Sequence, residues 1–313
     1  MERLALAADD GFSIAAVRWL PRQPVRAVLQ VSHGVAEHVA RYEPLADACT
    51  AAGVSVYGHD HRGHGASVDA RTPLGHFADH DGWAKVLGDL QVVQATARES
   101  HPGAPVFLFA HSMGSFVVRA HLLNGASPLA GAIISATGWR TGPLADALGW
   151  VARREADKRG ARAPSRLMSK LVFGAFNIQF VPARTRFDWL SRDPEQVDAY
   201  VADALCGFDC SGTLWADLMA GARSLEGAEN DRSRPPRDLP LLIVAGSRDP
   251  VSMGGVGSWQ LASRYRAAGN QNVTVTRYRG ARHELLNETI RAEFLSHVLG
   301  WIGHQVDAKR PRV

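Results

Sequence analysis

Short apolar runs that alternate with helical patterns are the feature that most restricts the fold of this chain of 313 residues. The runs are too short for helices and have the composition of strands that are buried on both faces. Strands are predicted at 12–20, 25–31, 54–57, 106–110, 132–135, 241–245 and 273–278. Helices are predicted at 42–52, 83–99, 115–123, 255–268 and 288–304. This alternation predicts βαβ units and a mostly parallel central sheet flanked by helices, which is the α/β class.

The middle of the chain interrupts the alternation. Residues 138–237 show helical periodicity and no convincing strand, and Asp193 followed by a proline predicts a helix N-terminus. The polar run 226–238, which contains proline, predicts a linker back to the sheet. We therefore predict one core formed by residues 1–137 and 238–313, with a helical cap, or lid, inserted at 138–237.

Residues 107–115, Phe-Leu-Phe-Ala-His-Ser-Met-Gly-Ser, place a serine between a buried strand and a helix. A strand, a sharp turn at the serine and a helix together form a nucleophile elbow. The turn requires small residues two positions before and after Ser112, and Ala110 and Gly114 stand there. The elbow would also place the Met113 N–H where it can stabilise an oxyanion. The alternative is a serine that simply N-caps an ordinary helix.

A serine nucleophile needs a base, and the base needs an acid that orients it. Asp249 follows the strand 241–245, and His283 follows the strand 273–278. We therefore expect both side chains at the carboxyl edge of the sheet, beside Ser112. The weaker alternatives for the acid are Asp231, Asp238 and Glu284.

The predicted strand 25–31 is followed directly by Ser-His-Gly-Val, residues 32–35. A backbone N–H directly after such a strand can face the nucleophile, so we predict that the N–H groups of Val35 and Met113 form an oxyanion hole.

Four motifs carry a resemblance to a known family. Residues 33–42 resemble the His-Gly-x-x-Glu-His-x-x-Arg-Tyr signature of monoacylglycerol lipase and lysophospholipase-like serine hydrolases of the serine aminopeptidase S33 type, which are α/β-hydrolases. Residues 59–67 resemble the Asp-x-Arg-Gly-His-Gly-x-Ser turn of that family, residues 111–114 its elbow, and residues 283–288 its histidine loop. The resemblance runs from about residue 10 to residue 303 and includes the cap.

The resemblance implies an α/β-hydrolase fold with an eight-stranded sheet and a helical cap. It implies a carboxylic-ester hydrolase that works through an acyl-enzyme, with Ser112, His283 and Asp249 as the catalytic triad. The expected substrate is a small acyl ester, such as a monoacylglycerol or a lysophospholipid, and no cofactor is expected. A short-chain carboxylesterase, a peptidase or amidase, and an acyltransferase of the same fold remain alternatives.

The chain departs from the family pattern at two positions. Ala110 replaces the usual first glycine of the elbow, and Ser115 replaces a glycine that commonly follows it. We expect the Ser115 hydroxyl to narrow the pocket or to add a polar contact there. The resemblance also implies that Asp60 and Arg62 are buried and paired.

Two sets of residues raise the alternative of a metal site. His59, His61 and His64 have ligand-like spacing, but Gly63 stands where metallo-hydrolases of that pattern usually have an aspartate. The two cysteines of the cap segment, Cys206 and Cys210, lack paired ligands nearby in the sequence. We therefore expect no metal.

Composition and charge exclude several classes of protein. Hydrophobic residues make up 46% and charged residues 21% of the chain, as in folded globular proteins. Lys and Arg total 35 against 31 Asp and Glu, which is too even to predict nucleic-acid binding. Asp9 and Asp10 lie where a signal peptide would have its apolar core, and the three cysteines fit a reducing compartment, so we expect a cytoplasmic protein.

The cap should determine which substrate enters. We predict that its apolar side chains line an acyl tunnel, while the alternative is that they only pack the cap on the sheet. The residues predicted to line the tunnel are Leu144, Leu148, Phe173 and Phe176. Cations outnumber acids in the segment 153–170, which suggests peripheral contact with an anionic membrane, although such a face is often only solvated. The oligomeric state is not predicted.

Overall fold

The computed structural model describes residues 1–125, 128–138, 142–231 and 235–308. Within these residues eight strands form one sheet in the order β1-β2-β4-β3-β5-β6-β7-β8. The strands are β1 (Glu2–Ala7), β2 (Ser13–Trp19), β3 (Ala27–Ser32), β4 (Val54–His59), β5 (Val106–His111), β6 (Gly131–Ser135), β7 (Leu241–Gly246) and β8 (Val273–Tyr278). The β1–β2 and β2–β4 pairs are antiparallel and the others are parallel, which confirms the predicted mostly parallel sheet.

Helices cover both faces of the sheet. In the described part of the chain they are α1 (Glu43–Ala51), α2 (Gly82–Ser100), α3 (Met113–Leu123), α4 (Gly142–Arg159), α5 (Arg166–Asn177), α6 (Pro194–Ala202), α7 (Gly212–Asn230), α8 (Val256–Ala267) and α9 (Arg291–Ala308). The central strand β5 is buried on both faces because its side chains alternate between two apolar clusters. Phe107 and Phe109 pack with Phe294 of α9, whereas Leu108 and Ala110 join the cluster on the opposite face.

The segment between β6 and β7, where the cap is predicted, contains α4–α7 and no strand among its described residues. Residues 139–141 and 232–234, near the two ends of that segment, lie outside the described residues. The Asp193 carboxylate accepts a hydrogen bond from the Glu195 N–H, which confirms the predicted N-terminus of α6.

Two sequence predictions differ from the structure. The edge strand β1 was not predicted, because a short and largely exposed strand lacks the continuous apolar run of the buried ones. The linker predicted at 226–238 is wrong over residues 226–230, which belong to α7. Glu229 looks like a solvent-exposed residue in the sequence, but it is buried and forms an ion pair with Arg119 of α3.

Across the described residues, none of the helices combines the length and the apolar character that crossing a bilayer requires.

Candidate active site

Ser112 lies at the turn between β5 and α3 in a strained backbone conformation. Its φ of 50° and ψ of −119° are unfavourable for a residue with a side chain. The Ser112 side chain makes no capping hydrogen bond to α3, which argues against the N-cap interpretation. Gly114 allows the turn to pack on the end of β3, since a Cβ there would lie 2.2 Å from the Ser32 carbonyl oxygen. The result is a half-buried hydroxyl held at the carboxyl edge of the sheet.

Asp249 and His283 come together at the same edge. The His283 Nδ1 lies 2.8 Å from Asp249 Oδ1, and both side chains are buried. The N–H groups of Val251 and Ser252 also donate to the Asp249 carboxylate, at 3.0 and 3.3 Å, and so fix its orientation. The loops after β7 and β8 approach closely at Gly246, where a Cβ would lie 2.1 Å from the Arg282 carbonyl oxygen.

Two aromatic rings enclose the imidazole of His283. The His111 ring lies 4.7 Å from it and the Trp189 ring 4.8 Å, measured between ring centroids. Burial lowers the pKa of His111 to about 4, so its ring is neutral at pH 7 and adds no charge next to His283. His111 directly precedes Ser112, so the residue before the elbow serine packs against the histidine loop.

Backbone carbonyl groups of the predicted cap segment accept hydrogen bonds from the histidine loop. The Glu284 N–H donates to the Leu190 carbonyl at 2.8 Å, and the Arg282 guanidinium donates to the Ser191 carbonyl at 2.9 Å. The position of His283 therefore depends on the cap as well as on the sheet.

The loop after β3 lies beside Ser112. A Cβ at Gly34 would be only 3.2 Å from the Ser112 Cβ. The Gly34 N–H donates to Glu37 Oε1 at 2.5 Å and is therefore engaged, and the next N–H along the loop is that of Val35. Met113 is the first residue of α3, so its N–H has no acceptor within the helix. Both predicted oxyanion donors thus belong to segments that adjoin the serine.

One guanidinium connects this loop to the histidine loop. Arg41 donates to Glu37 and, through two nitrogens, to Glu284, each at 2.7 Å. Burial opposes the ionisation of both glutamates, but Arg41 between them lowers their pKa values below the ordinary value. The Tyr42 hydroxyl donates to Glu37 at 2.9 Å. These contacts explain why the Glu, Arg and Tyr of the 33–42 motif accompany its His-Gly.

The cap also holds the loop after β3. Ala36 has a φ of 55°, in the left-handed region, and its carbonyl oxygen accepts two hydrogen bonds. One comes from the Tyr200 hydroxyl at 2.7 Å and the other from the Gly207 N–H at 2.9 Å. The sequence does not indicate Tyr200 or Trp189 as site residues, because only the fold brings the cap to this loop. It does not indicate the role of Arg41 either, because the partner Glu284 lies 243 residues later in the chain.

The four residues predicted to line an acyl tunnel have different environments. Phe173 is buried and stacks on Trp189 at 6.0 Å, and Phe176 lies 5.0 Å from the same ring, so both adjoin the wall around His283. Phe173 also lines a surface cavity of about 730 Å³ on the cap. Leu148 packs against the main apolar cluster, whereas Leu144, one turn earlier on α4, is 69% exposed.

The structure corrects the expectation for Ser115. Its side chain is fully buried in the first turn of α3 and does not enter a pocket. The hydroxyl donates to the Ser112 carbonyl at 2.5 Å and lies 2.7 Å from Thr137 Oγ1. The hydroxyl therefore makes its polar contacts inside the protein and not in a pocket, because Ser115, the third residue of α3, faces the end of the neighbouring strand β6.

Residues considered for other roles are placed as follows. His59, the last residue of β4, is buried, as are His61 and His64 in the turn after it, where His61 Nε2 contacts Ser32 Oγ at 3.1 Å. Asp60 and Arg62 are buried as expected, but with separate partners. Asp60 accepts from two backbone N–H groups, and Arg62 pairs with Asp10 and Asp89.

Among the alternatives to Asp249, Glu284 is bound to Arg41, and Asp231 and Asp238 are exposed.

The comparisons with known proteins agree with this geometry. The family model described as serine aminopeptidase, S33, matches residues 23–290. A monoacylglycerol lipase of Mycolicibacterium smegmatis is 31% identical over 305 residues, which cover 95% of each chain. The monoglyceride lipase of Mus musculus is 28% identical, over 97% of this chain and 91% of its own. A thermostable carboxyl esterase from Bacillus coagulans, solved with glycerol, superposes with a TM-score of 0.88 at 25% identity, covering 97% of this chain and 98% of its own.

Proposed function

Because this chain belongs to the serine aminopeptidase S33 family of α/β-hydrolases and is a carboxylic-ester hydrolase, we propose that Ser112, His283 and Asp249 are its catalytic triad. The observation that carries the proposal is the buried pair of Asp249 and His283, with 2.8 Å between Oδ1 and Nδ1, at the sheet edge where Ser112 is strained. We propose a monoacylglycerol-like ester as the substrate.

The proposed reaction proceeds in two halves. Ser112 Oγ attacks the ester carbonyl carbon while His283 Nε2 takes the hydroxyl proton, and the carbonyl electron pair moves to oxygen. The Val35 and Met113 N–H groups stabilise that oxyanion. The C–O bond to the alcohol then breaks, His283 protonates the leaving oxygen, and an acyl-enzyme remains. Water, deprotonated by His283, releases the acid and regenerates Ser112.

Asp249 has a geometric role in this scheme. Its carboxylate accepts from His283 Nδ1–H, which leaves Nε2 free of hydrogen as the base. The two backbone N–H groups that also bind Asp249 hold the carboxylate in place while the imidazole gains and loses a proton.

Apolar side chains next to His283 support a lipid-like acyl group. Phe173 and Phe176 both contact Trp189, whose ring lies 4.8 Å from that of His283, so the three side chains form a continuous aromatic wall beside the proposed base. We infer that residues 138–237 act as a lid that contributes this wall.

Rates on a panel of esters test the proposed function. Monoacylglycerols from C4 to C16, p-nitrophenyl esters from acetate to palmitate, a lysophospholipid and a peptide amide should be compared as kcat/KM, with Ser112→Ala as the blank. We expect the highest value for a long-chain monoacylglycerol. A preference for acetate or butyrate would instead indicate a short-chain esterase, faster cleavage of the amide a peptidase, and acyl transfer to added glycerol in preference to water an acyltransferase.

A second proposal concerns the outer face of the cap, which we propose contacts anionic membranes. Apolar side chains stand exposed there, notably Ile178 and Val181, and cations such as Arg166 and Lys170 lie on the same helix or next to it.

Sedimentation with vesicles tests this contact. Binding should rise with the fraction of phosphatidylglycerol, fall as salt screens the charges, and weaken in the double variant Ile178→Ser, Val181→Ser. Val68→Ser, which changes an exposed valine outside the cap, should bind like the wild type. Absent or salt-independent binding would contradict the proposal.

A further inference from the structure

A histidine, an aspartate and a cysteine converge at the junction of the cap and the loop after β3. His38 Nε2 lies 2.8 Å from Asp203 Oδ2, and the ligand atoms of His38, Asp203 and Cys206 all lie within 4.8 Å of one another. In the described part of the chain, these three residues form the one group of three or more His, Cys, Asp and Glu side chains that lie close enough together to hold a metal ion. The proposed catalytic scheme uses none of the three.

The cap supplies two of these side chains from one tight turn after α6. The Cys206 N–H donates to the Asp203 carbonyl at 3.0 Å, and the Leu205 N–H donates to Asp203 Oδ1 at 2.8 Å. The turn therefore presents a carboxylate and a sulfur atom side by side, and His38, which lies 165 residues earlier than Asp203, faces them.

We propose that His38, Asp203 and Cys206 bind one divalent thiophilic metal ion, with Zn²⁺ as the natural candidate and water in the fourth position. Imidazole nitrogen, carboxylate oxygen and thiolate sulfur are all zinc ligands, and three protein ligands with one open position form a known type of zinc site. In a tetrahedral site with Zn–N and Zn–O near 2.0 Å and Zn–S near 2.3 Å, ligand atoms lie roughly 3.3–3.7 Å apart. Side-chain shifts of about 1 Å produce that spacing from the observed one.

The charges match the ion. Binding releases the thiol proton of Cys206, so that one thiolate and one carboxylate neutralise the two positive charges of the metal. The nearby cation Arg41 forms ion pairs with Glu37 and Glu284. Arg41, Glu37 and Glu284 together carry a net negative charge.

A metal at this point would fasten the cap to the loop after β3. His38 is two residues from Ala36, and Cys206 precedes Gly207, whose N–H donates to the Ala36 carbonyl. A bound ion would therefore link the cap to the backbone arrangement beside Ser112.

Cobalt spectroscopy of the full-length chain tests the proposal directly. After treatment with a chelator, titration with Co²⁺ should produce a thiolate-to-cobalt absorption band that saturates at one equivalent, and Zn²⁺ should abolish the band. Cys206→Ser should remove the band. His38→Gln and Asp203→Asn should lower the Zn²⁺ affinity at least tenfold. Cys210→Ser is the matched control, because this buried cysteine of the same segment lies outside the cluster, and it should keep the band.

Absence of a band in the wild type, its persistence in Cys206→Ser, or its loss in Cys210→Ser would overturn the proposal. A second measurement needs no variant. Zinc X-ray absorption of the wild type loaded with one equivalent should show one sulfur neighbour near 2.3 Å together with nitrogen and oxygen neighbours near 2.0–2.2 Å. A shell of nitrogen and oxygen alone would refute the site.

Discussion

At the scale of single residues, the strained turn between β5 and α3 holds the Ser112 side chain at the carboxyl edge of the sheet. The strand, serine and helix around Ser112 require small neighbours, and the observed φ of 50° shows why. Ala110 fills the first of these positions without exposure, which is consistent with a requirement for small size. The expectation that the Ser115 hydroxyl reaches the pocket was wrong, because a single sequence does not show which side of the first helical turn faces the pocket.

Asp249→Asn tests the role of the orienting acid. An amide can donate to the imidazole and hold the wrong tautomer, so kcat on a good ester should fall about 10³–10⁴-fold while KM changes little. Steady-state kinetics check this, with the exposed Asp238→Asn as a control that should keep wild-type kcat. A loss of less than tenfold in Asp249→Asn would remove Asp249 from the triad.

At the scale of elements, the strands of the sheet could be predicted because continuous apolar runs identify strands buried on both faces. The ion pairs that join elements could not, because charges that meet across the fold are far apart in the sequence. Arg41 reaches Glu284, and Arg119 of α3 reaches Glu229 of α7 with two hydrogen bonds of 2.8 Å. The second pair explains why the polar end of α7 was predicted to be a linker.

Tyr200→Phe tests whether the cap positions the loop after β3, which contains the proposed oxyanion donor Val35. Removing the hydroxyl deletes one of the two hydrogen bonds to the Ala36 carbonyl, while the Gly207 N–H retains the other. A neutral hydrogen bond contributes about 1 kcal/mol, so kcat should fall roughly fivefold with little change in KM.

The matched control is Tyr265→Phe, in which a buried tyrosine of α8 loses a hydroxyl that has no partner among the described residues. It should leave kcat unchanged. An increase in KM without a change in kcat for Tyr200→Phe would assign that residue to substrate binding instead.

At the scale of the whole molecule, buried histidines make the fold sensitive to acid. Burial lowers the pKa of His59 and His64 from 6.5 to about 4, and it lowers the pKa values of His33 and His61 well below 6.5. Between these values the unfolded chain binds more protons than the folded chain, so the stability is full above pH 6.5 and is lost as the pH falls toward 4. For one such histidine the loss at pH 5 is roughly 2 kcal/mol.

His59→Phe tests this dependence, since the ring is retained and neither ring nitrogen of His59 has a partner among the described residues. Urea unfolding at pH 8 and pH 5 should show a smaller loss of stability in this variant than in the wild type. His304→Phe, which changes an exposed histidine, should follow the wild type. Equal pH dependence in His59→Phe and the wild type would contradict the prediction.

Covalent labelling with a fluorophosphonate tests the central claim that Ser112 is a nucleophile activated by the pair of His283 and Asp249. The claim predicts one adduct per chain, located at Ser112 by peptide mass spectrometry, loss of esterase activity in step with labelling, no adduct in Ser112→Ala, and labelling slowed by orders of magnitude in His283→Ala. An adduct on a different residue, or full esterase activity in Ser112→Ala, would contradict it.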